Sequence, residues 1–199
     1  MTNTVSVTFY PGKGADEKVA ELEIMVGKIT ANWAGVEDGM FEIFYGAITN
    51  WDFNADMKTL RALFFTFSSY EQKMRMLHNV IKTKLRDRPE QLNTWIALKK
   101  KIDGYSKVRN DIAHLVASCK SSTDPEALAN VRLVPPFWKS TNLGHGLDDF
   151  NEIGYCAEDL WKAISPYWGY HPKTEQYVRP DTQLAYQIQE FARSFKVTE

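Results

Sequence analysis

Apolar residues recur along the chain with two different periods. Val5, Val7 and Phe9 alternate with polar neighbours, the period of a short half-buried strand, and Pro11-Gly12 with Gly14 then breaks the chain. From Asp16 the step becomes three or four. Leu22, Val26, Ile29, Trp33, Val36, Met40, Phe44 and Ile48 share one face of a helix. Asp16 suits the N-cap, and acids at 16, 17 and 21 suit the positive helix end. The expected helix has roughly 30 residues, long enough to be the spine of a bundle. Gly27, Gly35 and Gly39 interrupt it at about 1 kcal/mol each relative to Ala, which points to close packing of another helix, from this chain or from a second subunit.

A second helical stretch opens near Met57 with Leu60, Leu63 and Phe67 as its stripe. Ser69-x-x-Gln72 has the form of a capping box and predicts a break near Ser68, after which Met74, Leu77, Ile81 and Leu85 continue. Pro89 suits the first turn of a third helix running through Leu92, Trp95, Leu98, Ile102, Tyr105, Val108 and Ile112. Residues 118–126 read as a loop. Asn130–Val134, stopped by Pro135-Pro136, reads as a short strand and a partner for residues 4–9. Helices follow from about Asp148 to Ile164 and from about Asp181 to Phe195, separated by an aromatic, Pro-containing loop. The expectation is a mainly all-α fold, an antiparallel bundle of four to five helices with an accessory β-hairpin from strands near 4–9 and 130–134. It forms a single domain over 1–199, with core helices in 15–117 and the accessory strand, loop and C-terminal helices in 118–199.

Composition narrows the function. A chain of 199 residues with 25% charged residues can bury a core and is not wholesale disordered. Cys119 and Cys156 are too few for a disulfide framework or a four-cysteine zinc site, and His78, His145 and His171 are scattered without ligand spacing. Gly12-Lys13-Gly14 lacks the frame of a phosphate-binding nucleotide loop. No metal or other cofactor is therefore expected. The start MTNTVSVTFYPGKG lacks the basic and apolar regions of a signal peptide, and no apolar run reaches the roughly 18 residues a membrane span needs. A cytoplasmic protein with no membrane association is expected. The net charge of −1 hides a strong asymmetry: residues 1–56 sum to −6, residues 57–109 to +9, and residues 110–199 to −4. Such a basic middle suits either a polyanion or the acidic first helix packed against it.

One constellation carries chemistry. Near the end of the third helix stands Arg109-Asn110-Asp111-Ile112-Ala113-His114. At about 100° per residue, Ala113, Asn110 and His114 fall about 40°, 100° and 140° from Arg109, away from the apolar arc of Tyr105, Val108 and Ile112. The arc leaves the Arg, Asn and His side chains for solvent or a partner. A guanidinium can clamp phosphate and stabilise a phosphorane-like transition state, an imidazole can move a proton at neutral pH, and an amide can position either. Together they suit metal-independent RNA cleavage by 2′-hydroxyl attack.

This segment resembles the Arg-x4–6-His signature of the HEPN superfamily, and Asn110 matches the polar residue that commonly follows the family's Arg. The long first helix with Trp33-x-x-Val36-Glu37 is broadly similar too. The resemblance covers roughly residues 15–115 and extends at most to the helix after 148. It implies a helical bundle that dimerises to bring two motifs into one cleft, and a metal-independent ribonuclease of toxin–antitoxin, phage-defence or CRISPR systems. On that resemblance Arg109 binds and stabilises phosphate, His114 is the general acid or base, Asn110 orients the site, and Glu37 or Asp38 supplies a supporting acid. Lys99, Lys100, Lys101 and Lys107 are placed to steer an RNA backbone toward Arg109.

The implied partners are a second copy of the chain, RNA, and an antitoxin or other protein. The resemblance equally admits a catalytically silent HEPN-like scaffold, since some family members bind or dimerise without cleaving. A helical small-molecule sensor unrelated to HEPN is the third class. Trp161, Tyr167, Trp168, Tyr170 and Tyr177, with Phe137 and Trp138, are read as a satellite core docking the last helices in preference to a base-stacking platform.

Overall fold

The computed structural model describes residues 15–52, 54–113, 116–118, 132–134, 157–164, 167, 170–171, 176–177 and 184–196. Among these the chain is mainly helical: α1 (Ala15–Thr49), α2 (Met57–Thr66), α3 (Tyr70–Lys84), α4 (Pro89–Ala113), α5 (Ala157–Ile164) and α6 (Leu184–Arg193). Four short strands accompany them, β1 (Val116–Ser118), β2 (Arg132–Val134), β3 (Tyr170–His171) and β4 (Gln176–Tyr177). No described helix is long and apolar enough to cross a membrane.

The chain divides into two compact units, one of Met1–Lys28 with Asp111–Trp161 and one of Ile29–Asn110 with Lys162–Glu199. In the first, β1 pairs antiparallel with β2, Val116 opposite Val134 and Ser118 opposite Arg132. The strand expected near 130–134 is thus matched by 116–118, a segment with no strand expected in it. Residues 4–9 lie outside the described residues, as does 148–156 of the helix expected to end at Ile164.

The second unit is built around α1. Met40, Phe41, Ile43, Phe44, Tyr45 and Ala47 are all buried there, so this end of the helix is covered almost all round. The expected stripe is buried at Leu22, Ile29, Trp33, Val36, Met40 and Phe44, whereas Ile48 at its end is 43% exposed. α1 ends in a left-handed pair, Asn50 (φ 51°) and Trp51 (φ 62°). That geometry is costly for an aromatic residue and is held by several contacts. The Trp51 amide donates to Thr49 Oγ1 at 3.1 Å, its indole Nε1 donates to the Ala192 carbonyl at 2.8 Å, and its ring packs edge-on to Tyr45.

Helix boundaries follow local chemistry. Asp56 caps α2, its carboxylate accepting from the Thr59 amide at 3.1 Å, and Ser69 caps α3, accepting from the Gln72 amide at 3.2 Å. α4 begins at Pro89, where a missing N–H costs nothing. The buried faces of α3 (Met74, Leu77, Ile81, Leu85) and α4 (Trp95, Leu98, Ile102, Tyr105, Ile112) are those the periodicity predicts. The stripe of α2 is not. Phe64 is its fully buried residue, packed against Phe41 and Phe44, while Leu63 is 51% exposed.

α6 lies along the glycines of α1. A Cβ on Gly39 would stand 2.5 Å from Ile188 Cγ2, and one on Gly46 would stand 2.6 Å from Trp51 Nε1 and 3.1 Å from the Ala192 carbonyl. Gly27 and Gly35 meet nothing within 4 Å, so of the three glycines at which close packing is expected only Gly39 shows it.

Candidate functional site

The motif Arg109-Asn110 lies on the last turns of α4. Asn110 and Ala113 are exposed and Ile112 is buried, as the helical arc requires. His114 lies outside the described residues. Arg109 itself is half-buried, a correction to the expectation that the core leaves it free. Its guanidinium carbon sits 5.6 Å from the centroid of the Trp33 ring, within cation–π range, and Nη1 donates to Asn110 Oδ1 at 2.8 Å. Its Nε is enclosed and meets no hydrogen-bond acceptor.

Trp33 is a buried platform for the Arg. It packs edge-on to Tyr70 with centroids 5.3 Å apart and tilted against Tyr105 at 6.0 Å. The Tyr105 hydroxyl donates to the Ile29 carbonyl at 3.3 Å, and Tyr167 packs on its ring at 5.3 Å, directly over Gly104, where a Cβ would collide with the Tyr167 hydroxyl. Tyr167 therefore serves the core, as the aromatic segment's reading predicts for it. Tyr70 donates to Asp103 Oδ1 at 2.5 Å, and Lys99 holds the other oxygen of Asp103 at 2.6 Å. Burial, then this bond to Asp103, push the Tyr70 phenol well above its ordinary range. Burial alone pushes Tyr105 up to about 12.

The supporting acids are engaged elsewhere. Glu37 accepts from Lys73 Nζ at 3.0 Å, and Asp38 from Arg61 Nη2 at 2.5 Å. Arg61 in turn lies over the rings of Phe41 and Phe65, and Lys73 over Phe65. The lysine run is also divided by its partners. Lys99 is paired with the Asp103 carboxylate, whereas exposed Lys101 donates to the neutral amide Gln187 Oε1 at 2.9 Å and keeps its charge. Lys100 and Lys107 are exposed. Among the described residues no carboxylate pairs with Arg109. It is the half-buried cation whose charge this part of the fold leaves uncompensated, in contrast to Lys73 and Lys99.

Sequence reasoning singled out Arg109 and Asn110 and did not place Trp33 against the Arg109 guanidinium. The signal was partial, because the tryptophan's place on the buried face of α1 was legible but the register of α1 against α4 was not. Among the described residues no group of three or more His, Cys, Asp or Glu could hold a metal ion. An arginine braced by an indole and an amide can hold an oxyanion, because its orientation is fixed before the anion arrives.

Neither the known protein families nor the curated proteins nor the solved structures contain a match to this chain.

Proposed function

We propose that this chain is a HEPN-like, metal-independent endoribonuclease, cytoplasmic and active as a homodimer, serving as a toxin or defence component held in check by an antitoxin or other protein. The observation carrying the reading is the state of Arg109. A half-buried guanidinium seated over Trp33 and held by Asn110, with no carboxylate on it among the described residues, is a cation oriented in advance for an anion. A backbone phosphate complements that guanidinium in charge. In the proposed reaction the 2′-hydroxyl oxygen attacks the adjacent phosphorus as its proton leaves to a general base. The P–O5′ bond breaks, and the departing 5′-oxygen receives a proton from a general acid. The products are a 2′,3′-cyclic phosphate and a 5′-hydroxyl. His114 would serve as base or acid, and Arg109 would neutralise the charge on the phosphorane. A second copy of the motif across a two-fold axis would supply the complementary proton carrier.

The alternative, a catalytically silent HEPN-like scaffold, has one observation in its favour. Glu37 and Asp38, expected beside Arg109, are bound to Lys73 and Arg61. Incubation of the purified chain with labelled single-stranded RNA in EDTA separates the two. The enzyme reading expects cleavage that falls at least about a hundredfold in both Arg109→Ala and His114→Ala, the scale of losing a positioned acid–base or charge-stabilising group. RNA binding without cleavage would establish the scaffold, and equal cleavage by all three proteins would assign it to a contaminant.

A further inference from the structure

We propose that Tyr70 is a positioning residue for Arg109, acting through the Trp33 ring and anchored to α4 by the Asp103 carboxylate. The inference rests on the reading of Arg109 given above and adds to it what fixes the guanidinium in place. A free arginine side chain samples many rotamers, and a charge-stabilising site has to remove that freedom before substrate arrives. Asn110 holds one edge of the guanidinium at 2.8 Å, but it is exposed and neighbours Arg109 on the same helix, so the two move together. Among the described residues, the contact that ties the guanidinium to another element is the face of Trp33 on α1. The orientation of that indole therefore sets the orientation of the charge.

Two tyrosines hold the indole, and they differ in how firmly they are held themselves. Tyr105 lies tilted against it at 6.0 Å, with a long hydroxyl bond of 3.3 Å to the neutral Ile29 carbonyl. Tyr70, the first residue of α3, meets it edge-on at 5.3 Å, the arrangement that aromatic quadrupoles favour. Its hydroxyl donates to Asp103 Oδ1 on α4 at 2.5 Å, and a bond to an ionised acceptor is the stronger kind. Lys99, one turn before Asp103, holds the other carboxylate oxygen at 2.6 Å. Asp103 stands six residues before Arg109, about 9 Å along the helix axis. The contacts thus close on themselves, from α4 through Tyr70 on α3 and Trp33 on α1 back to Arg109 on α4. Burial and the Asp103 carboxylate keep the Tyr70 proton in place well into the alkaline range, so the tie persists at neutral pH. A phenylalanine would fill the same space against Trp33. What the hydroxyl adds is a fixed angle between the two rings.

The test reads Arg109 directly. In the isotope-labelled full-length chain its Nε–Hε resonance, assigned by its loss in Arg109→Ala, is displaced by the ring current of Trp33. Tyr70→Phe should bring that resonance toward the position of a free arginine, and Asp103→Ala should do the same. Asp103→Asn keeps an acceptor for the Tyr70 hydroxyl and should hold the resonance near its parent position. Tyr105→Phe gives up only a long neutral bond and should move it less. In RNA cleavage, Tyr70→Phe should lower kcat about tenfold with KM within about twofold, the mark of a misplaced charge stabiliser and not of a lost binding contact. In an Arg109→Ala background the same change should have no further effect on cleavage, because nothing is left to position. A resonance that stays in place in Tyr70→Phe would overturn the proposal. So would equal shifts in Tyr70→Phe and Tyr105→Phe, a kcat unchanged in Tyr70→Phe, or a kcat loss that persists without Arg109. Wild-type chain that fails to cleave RNA would remove the ribonuclease reading and leave the resonance to decide the positioning. The two proposals can therefore fail separately.

Discussion

Lys73 is the most deeply placed charge described in the fold, its side chain 7% exposed against 26% for its partner Glu37. An ammonium so placed is tolerable only because Glu37 holds it at 3.0 Å and the Phe65 ring lies 4.9 Å away. Removing the acid alone leaves the cation stranded. Glu37→Gln should therefore lower the unfolding free energy by about 2–3 kcal/mol, less than for a fully buried pair because Glu37 is partly wet. The double replacement Glu37→Leu with Lys73→Met should recover most of the loss, since it removes both desolvated charges. Urea denaturation of the three variants checks this, and a double variant as unstable as Glu37→Gln would show that the pair is not the cause. If Glu37 served Arg109 instead, its loss would act on RNA turnover before stability. Arg109 is the contrasting residue, half-buried with an indole and an amide where Lys73 has a carboxylate.

Among elements, α1 shows how one helix serves two packing regimes. Gly39 admits Ile188 of α6 so closely that a methyl group has no room, Gly46 two turns on is closed by the Trp51 indole and the Ala192 carbonyl, and Gly35, one turn before Gly39, faces open space. The same substitution should then have opposite signs. Gly35→Ala should raise the unfolding free energy by about 0.5–1 kcal/mol through helix propensity alone. Gly39→Ala should lower it by about 1–3 kcal/mol, because Ile188 is buried and cannot yield without moving α6. Thermal melts of both proteins suffice, and a stabilised Gly39→Ala would place α6 farther from α1 than the structure does.

The sequence carried this architecture unevenly, for physical reasons. Ser69 and Pro89 mark helix starts through chemistry confined to three or four residues, so their breaks were legible. The face of α2 was not. In ten residues bearing Leu60, Leu63, Phe64 and Phe65, more than one apolar stripe can be drawn, and only Phe41 and Phe44 of α1 select Phe64. The site divides the same way. Arg109 and Asn110 were legible as a local motif, whereas the placing of Trp33 beside Arg109, and of Glu37 on Lys73, depends on how α1 is registered against α3 and α4. Periodicity fixes which face of a helix is apolar and contains no information on its displacement along the axis.

At the scale of the whole molecule, the near-zero net charge conceals segments of −6, +9 and −4, and the fold uses part of that imbalance internally. Asp38–Arg61 and Glu37–Lys73 bind the acidic first segment to the basic middle one. Neutral buried phenols add a second electrostatic dependence, on the alkaline side. Tyr105 keeps its proton to about 12 in the fold because it is buried, and Tyr70 is held higher still by burial and the Asp103 carboxylate. In the unfolded chain both ionise near 10. Above that pH the unfolded state binds fewer protons than the folded one, so stability falls as pH rises. For Tyr105 the contribution is fully present below pH about 10 and is lost progressively up to about 12, amounting to about 3 kcal/mol. Tyr105→Phe should be nearly as stable as the parent at pH 8, since it gives up one long hydrogen bond to Ile29, and should decline less between pH 9.5 and 11. Tyr70→Phe should start about 1 kcal/mol lower, having lost the bond to Asp103, and should also flatten the alkaline limb. Urea midpoints measured every half pH unit from 8 to 11 provide the comparison. Parallel declines in parent and variants would mean that lysine deprotonation, and not these phenols beneath Arg109, sets the alkaline limit of the fold.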